Sequence, residues 1–172
     1  MKLPTAATPE LNHLHHKLQW QQFNDDVMGG QSTSTFSWQS ANLTFSGFVN
    51  TNGGGFASIR TEPEPSLAQA FINLIKPTIA IEIQGDGQRY QLGVQTRANL
   101  NYWVDVDSPT QWQTFSFPLA QLVAKRRGRI VADAAPLEAL DITGFNLMIS
   151  HGQHGPFTLQ LRNLSLQEAP PN

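Results

Sequence analysis

The sequence predicts an all-β protein, an antiparallel β-sandwich with one or two short helices. Three observations lead there. Apolar and polar residues alternate with a period of two through most of the 172-residue chain, the pattern of strands with one face buried and the other wet. Turn formers punctuate these runs, as in Asn52-Gly53-Gly54-Gly55, Gly85-Asp86-Gly87, Asp107-Ser108-Pro109 and the segment 151–156, which suits a sandwich better than βαβ units. Charged residues make up 14% of the chain against 40% hydrophobic. Gln, Asn, Ser and Thr therefore supply the solvated surface, which fits antiparallel strands better than Lys- and Glu-rich surface helices.

Residues 1–17 read as an N-terminal tail, 18–168 as a single domain and 169–172 as a C-terminal tail. A first strand is expected over 18–23 and a second over 32–38, joined by Asn24-Asp25-Asp26-Val27-Met28-Gly29-Gly30. Asn and Asp bond back to nearby backbone and Gly accepts positive φ, so this joint is a tight, shaped turn. Leu43, Phe45, Gly47 and Val49 define one face of the next strand. Residues 54–60 open a further strand on glycine and place Phe56, Ser58 and Arg60 together. Residues 67–75, apolar at 67, 71, 74 and 75, are expected to form a short helix. The alternations Ile79-Ile81-Ile83, Tyr90-Leu92-Val94, Tyr102-Val104-Val106 and Phe115-Phe117 follow. One or two helical turns are expected over 119–125, and neither helix is long enough to stand alone. Phe145-Leu147-Ile149 and Phe157-Leu159-Leu161 are the last strand cores, the second continuing to Leu164 and Leu166 past a bulge near Asn163.

A chain of this size buries a full core without staples. Its formal net charge of −2 creates no global field for nucleic acid or anionic membrane. The absence of Cys removes disulfides, zinc-thiolate sites and thiol nucleophiles, and fits a reducing compartment. No apolar run approaches the roughly 20 residues of a membrane-spanning helix, and the N-terminal residues lack the apolar core of a secretory signal. A cytoplasmic location is expected.

Three segments recur in a telling order: Asn-Asp-Asp-Val-Met-Gly-Gly at 24–30, Gly-Gly-Phe-Ala-Ser-Ile-Arg at 54–60, and Gly-Asp-Gly-Gln-Arg-Tyr at 85–90. In this register the chain resembles the complex I intermediate-associated protein 30 family from about residue 20 to residue 166. The resemblance implies a jelly roll of the galactose-binding-domain-like type, similar to some carbohydrate-binding modules. It also implies a non-catalytic protein-interaction domain, a chaperone or scaffold in assembly of a partner complex, as in members that assist NADH:ubiquinone oxidoreductase assembly. No mitochondrial presequence is expected from residues 1–17, no Gly-x-Gly-x-x-Gly unit occurs in the sequence, and the chain is similar to a free-standing bacterial-type member.

Candidate chemistry is sparse. Asp25 and Asp26 are candidate metal ligands or acid–base groups, but turn shaping with Asn24, Gly29 and Gly30 accounts for them more simply. No cofactor is expected; a structural calcium, of the kind such jelly rolls often carry, is compatible with these carboxylates but needs carbonyl ligands that sequence does not display. Asp105 and Asp107 lie on one strand face about 7 Å apart, within the range of an inverting carboxylate pair. A solvated strand end explains them without catalysis. His13 with His16, and His151 with His154, read as polar tail and loop. Residues 125–129 (Lys-Arg-Arg-Gly-Arg) read as a solvated basic loop. With no nucleophile elbow, P-loop or His-Glu-x-x-His, the chain is not expected to be an enzyme.

One surface remains. If Tyr90, Leu92 and Val94 face the core, Arg89 and Gln91 face out; if Tyr102, Val104 and Val106 face the core, Trp103 and Asp105 face out. Together with Arg60 these five residues form a candidate ligand- or partner-binding face. An exposed Trp beside amides, Arg and a carboxylate suits a protein partner. It equally suits an oligosaccharide, whose ring stacks on the indole while polar groups hold its hydroxyls. The primary expectation is a protein partner; the alternative is a carbohydrate-binding module. Nucleic acid and membrane spans are not expected.

Overall fold

The computed structural model describes residues 18–25, 29–52, 54–71 and 73–169. Twelve strands form two antiparallel sheets among these residues. They are β1 (Trp20–Gln22), β2 (Thr33–Gln39), β3 (Asn42–Val49), β4 (Ala57–Thr61), β5 (Pro77–Gly85), β6 (Arg89–Thr96), β7 (Asn101–Asp107), β8 (Gln113–Pro118), β9 (Val123–Arg126), β10 (Arg129–Ile130), β11 (Ile142–Ile149) and β12 (Gly155–Glu168). One sheet has seven strands in the order β1-β4-β11-β6-β7-β9-β10; the other has five, β2-β3-β12-β5-β8. The chain switches sheets repeatedly, as in a jelly roll.

The alternation maps onto this architecture directly. Leu43, Phe45, Ile79, Ile81, Ile83, Leu159 and Leu161 point inward from the five-stranded sheet, and Ile59, Tyr90, Leu92, Val94, Phe145 and Leu147 from the seven-stranded sheet. Fully burying each such side chain contributes roughly 1.5–3 kcal/mol before the entropy of ordering is charged against it. Phe45, Tyr90 and Phe157 meet across the interior, with Phe45 and Phe157 ring centroids 4.9 Å apart. The expected bulge is present: the β12–β5 register shifts between Arg162 and Ser165, and Asn163 has φ 53°.

Two expectations are corrected. The helix expected over 67–75 is a 3-10 segment, Pro65–Phe71, and the one over 119–125 shrinks to the 3-10 turn Leu119–Gln121. Both runs are too short to nucleate an α-helix, and burying Leu67 and Leu119 is satisfied by the tighter turn. The basic loop is also structured. Val123–Arg126 and Arg129–Ile130 form a hairpin on the end of the seven-stranded sheet, turned by Arg127 and Gly128, both at positive φ. A two-residue, cationic outer strand blunts that sheet edge against further pairing. Among the described residues no helix is long and apolar enough to cross a membrane.

Candidate functional site

The signature turn is a clip between the sheets. Asn24 and Asp25 are both buried. Asn24 Oδ1 accepts hydrogen bonds from the Ser34 hydroxyl of β2 at 2.7 Å and from the Ser58 amide of β4 at 3.0 Å. The Asp25 carboxylate accepts from the Ser32 amide (2.9 Å), the Ser32 hydroxyl (2.7 Å), the Gly55 amide (2.8 Å) and, at 3.4 Å, the Phe56 amide. Burial pushes the Asp25 carboxyl up, but these donors outweigh it and hold its pKa below the ordinary value. Glycine is required around it: a Cβ on Gly30 would lie 2.3 Å from the carboxylate Cγ, and one on Gly54 2.3 Å from Oδ2. Gly29 takes φ 87°. Asp26 lies outside the described residues, as do His13, His15 and His16.

The third signature segment makes a second clip. Between β5 and β6, Asp86 accepts from the Gln88 side chain, the Tyr90 hydroxyl and the Thr158 amide of β12, at 2.7, 3.0 and 2.9 Å. Tyr90 thus spans the interior from one sheet to the other. Its burial, reinforced by the Asp86 charge, pushes its phenol pKa well up.

The five candidate face residues do lie on one surface, the outer face of the seven-stranded sheet. Strand register arranges it in rows. One row runs Gln21, Arg60, Asn146, Gly93, Trp103, Val123 across β1, β4, β11, β6, β7 and β9. A second holds Ser58, Met148, Gln91 and Asp105. Neighbours within a row are separated by about 4.8 Å.

The structure redistributes their roles. Arg89 is committed to Asp107, Nε to Oδ1 at 2.8 Å, and this hydrogen bond draws the Asp107 pKa down. Gln91 is buried, donates to Asp105 at 3.3 Å and accepts from the Ser150 hydroxyl at 3.2 Å. Asp105 also lies 3.5 Å from His151 Nε2. His154 contacts Thr51 instead, so the two loop histidines do not converge. Among the described residues no group of three His, Asp or Glu is placed to hold a metal. Trp103 corrects the expected exposed indole. It is only 9% exposed because its ring lies down over Gly93, where a Cβ would stand 2.6 Å from it.

The accessible part of the face is its other end. An open depression of about 420 Å³ is lined by Arg60, Gln95, Asn101, Arg97 and the walls Pro63 and Pro65, a volume in the range of small-ligand sites. Pro65, at the start of the Pro65–Phe71 segment, lines this depression. The Arg60 guanidinium stacks 3.9 Å over the Phe23 ring, which fixes its direction. Gln95 Nε2 donates to the Thr61 carbonyl and to Asn146 Oδ1, both at 2.9 Å. Asn146 is 4% exposed, and its Nδ2 has no partner, an unusual state for a buried donor. Asn146, Asn101 and Arg97 were missed in the sequence. Asn146 had a signal, since it alternates outward from Phe145 and Leu147, but nothing there placed it beside Arg60.

The family described as complex I intermediate-associated protein 30 matches over residues 9–161. No curated protein sequence matches. Solved structures share the fold at low identity. A family 11 carbohydrate-binding module from a cellulosomal cellulase of Clostridium thermocellum superposes with TM-score 0.61 at 12% identity, over 90% of this chain and 91% of that one. The same module in complex with a β-1,3-1,4-mixed-linked tetrasaccharide gives TM-score 0.60 at 12% identity, over the same shares. An exo-β-agarase gives TM-score 0.58 at 14% identity, over 90% of this chain and 24% of that one.

Proposed function

The chain belongs to the complex I intermediate-associated protein 30 family, and within it we propose that this protein is a non-catalytic carbohydrate-binding domain. The outer face of its seven-stranded sheet would hold an oligosaccharide at the end marked by Arg60 and Gln95. The observation that carries this reading is the open depression on that face, lined by Arg60, Gln95, Arg97, Asn99 and Asn101. Sugar hydroxyls need forked donors and acceptors in fixed directions, which Asn, Gln and Arg provide when anchored as they are here. The repeated likeness to carbohydrate-binding modules supports it. Trp103 then serves as a rim against which a sugar edge packs, not as an open stacking platform.

A glycan array followed by calorimetric titration with mixed-linked β-glucan oligosaccharides tests this. Saturable binding that weakens in Gln95→Ala supports it; no hit on any glycan sinks it. The family description favours a second reading, a protein-binding assembly role. The exposed Val123 and Ile130 on the β9–β10 hairpin are its natural contacts. A native pull-down that recovers one stoichiometric partner, lost in Ile130→Asp, would favour that reading.

A further inference from the structure

The basic run at 125–129 has no part in oligosaccharide binding. It holds four of the chain's eleven Lys and Arg residues and no acid. The fold makes it the end of the β9–β10 hairpin. The β9–β7 ladder stops at the Lys125–Asn101 pair, so Arg126 to Arg129 run past the end of β7. Arg126 pairs with Arg129 across a two-residue turn, Arg127 at φ 51° and Gly128 at φ 78°. Positive φ at both turn residues matches the twist of the two strands, so the projection is stiff. Like charges directly opposite in a ladder destabilise it, and Arg126 faces Arg129. None of the four cations forms an ion pair among the described residues, and neither does Asp133, the nearest acid along the chain. Arg126, Arg127 and Arg129 are exposed, and so are Val123 (41%) and Ile130 (67%) behind them.

An anionic partner would turn this repulsion into attraction. Three of the four cations are Arg, whose planar fork takes a carboxylate through two hydrogen bonds and which is enriched in protein interfaces where Lys is depleted. Segments that lie on membranes set Trp, Phe or Leu beside their cations, and residues 123–130 contain none of these. A nucleic-acid reader carries a basic balance, whereas this chain has a net charge of −2. We propose that the β9–β10 hairpin docks on an acidic segment of a partner protein, its Asp and Glu carboxylates on Arg126, Arg127 and Arg129 and an aliphatic side chain on Ile130. This rests on the protein-binding reading above and names that partner's chemistry; the oligosaccharide reading does not depend on it.

A random-peptide display library selected on the full chain tests this. Bound peptides are expected to be enriched in Asp and Glu around an aliphatic residue. One such peptide, titrated by fluorescence anisotropy, should bind about tenfold more weakly to Arg126→Glu and to Arg129→Glu, and its Asn and Gln twin should show a similar loss on the unaltered protein. Arg126→Gln should lose less than the reversal, and added salt should weaken every charged contact. Both positions are exposed, and thermal unfolding checks that the variants are folded. Selected peptides without acidic enrichment, or acidic peptides indifferent to both reversals, overturn the inference. Co-sedimentation with phosphatidylglycerol vesicles, with no acidic peptide selected, assigns the hairpin to lipid and also overturns it. A pull-down partner lost in Ile130→Asp but retained in Arg126→Glu and Arg129→Glu overturns the acidic segment and leaves the protein-binding reading standing.

Discussion

The two outer surfaces of the sandwich obey the same alternation and end in different chemistry. The five-stranded sheet presents small hydroxyl and amide residues such as Thr35, Ser46, Thr44 and Gln160, at pairing distance from one another. Its charges are matched, with Arg162 bound to Glu82 and its guanidinium 4.0 Å over Trp112, and Glu82 held below its ordinary pKa by that hydrogen bond. The seven-stranded sheet presents Arg60, Gln95, a buried Asn146 and a Trp laid flat on glycine. Among the described residues each surface keeps one buried polar group without a partner, Thr78 Oγ1 on the first and Asn146 Nδ2 on the second, but only the second is bordered by an open, polar-lined depression. The two faces differ in the shape and the charge pairing that their strands leave at the surface, not in polarity itself.

The strongest way to break this contrast is through the clips that hold both faces in place. Asp25→Ala leaves four donors facing a void and is expected to cost about 3 kcal/mol in urea unfolding. Asp25→Asn should cost less, since it retains an acceptor. The clips also fail at opposite ends of the pH scale. The Asp25 pKa is depressed by folding, so its contribution is fully present above the ordinary value of 3.8 and lost as pH falls through the lower folded value. The Tyr90 pKa is raised, so its contribution is fully present below 10.0 and declines as pH rises beyond that. Unfolding midpoints across pH should show an acid limb flattened in Asp25→Asn and an alkaline limb flattened in Tyr90→Phe.

Gly93→Val acts on the candidate face alone. It pushes the Trp103 ring off the sheet and should cost about 2 kcal/mol, with a shifted indole emission. A Trp103 that remains in place, with unchanged emission, would contradict the close packing described here. Smaller still, Gln95→Ala should weaken oligosaccharide binding about tenfold while Arg162→Ala on the other face leaves affinity unchanged. Ser46→Ala, an outward residue on the five-stranded sheet, should alter stability by no more than about 0.5 kcal/mol.

Much of the fold was legible because period-two alternation reports burial directly. Phe157, Leu159 and Leu161 announce a half-buried strand whatever they pair with. The β9–β10 hairpin was not legible, since Lys125, Arg126 and Arg129 resemble a solvated run and only pairing with Asn101 and Tyr102 makes the segment a strand. The candidate face was half legible. That Arg60, Gln91 and Trp103 point outward could be counted along each strand. That Gly93 lets Trp103 lie down, or that Arg89 is spent on Asp107, could not.

By itself, the sequence determined the class of fold and the inward set of apolar residues, because strand alternation reports burial directly; it marked Asn24 and Gly85 to Tyr90 as turn segments, but the partners that hold Asn24, Asp25 and Asp86 lie far away in sequence. Tertiary structure alone decided which outward residues came together on the candidate face. Arg60, Gln95 and Asn146 come from three separate strands, and only the β4–β11 and β11–β6 registers bring them together. A strand's own period fixes which side a residue faces; its neighbours, distant in sequence, fix whether that residue is satisfied or left free to bind.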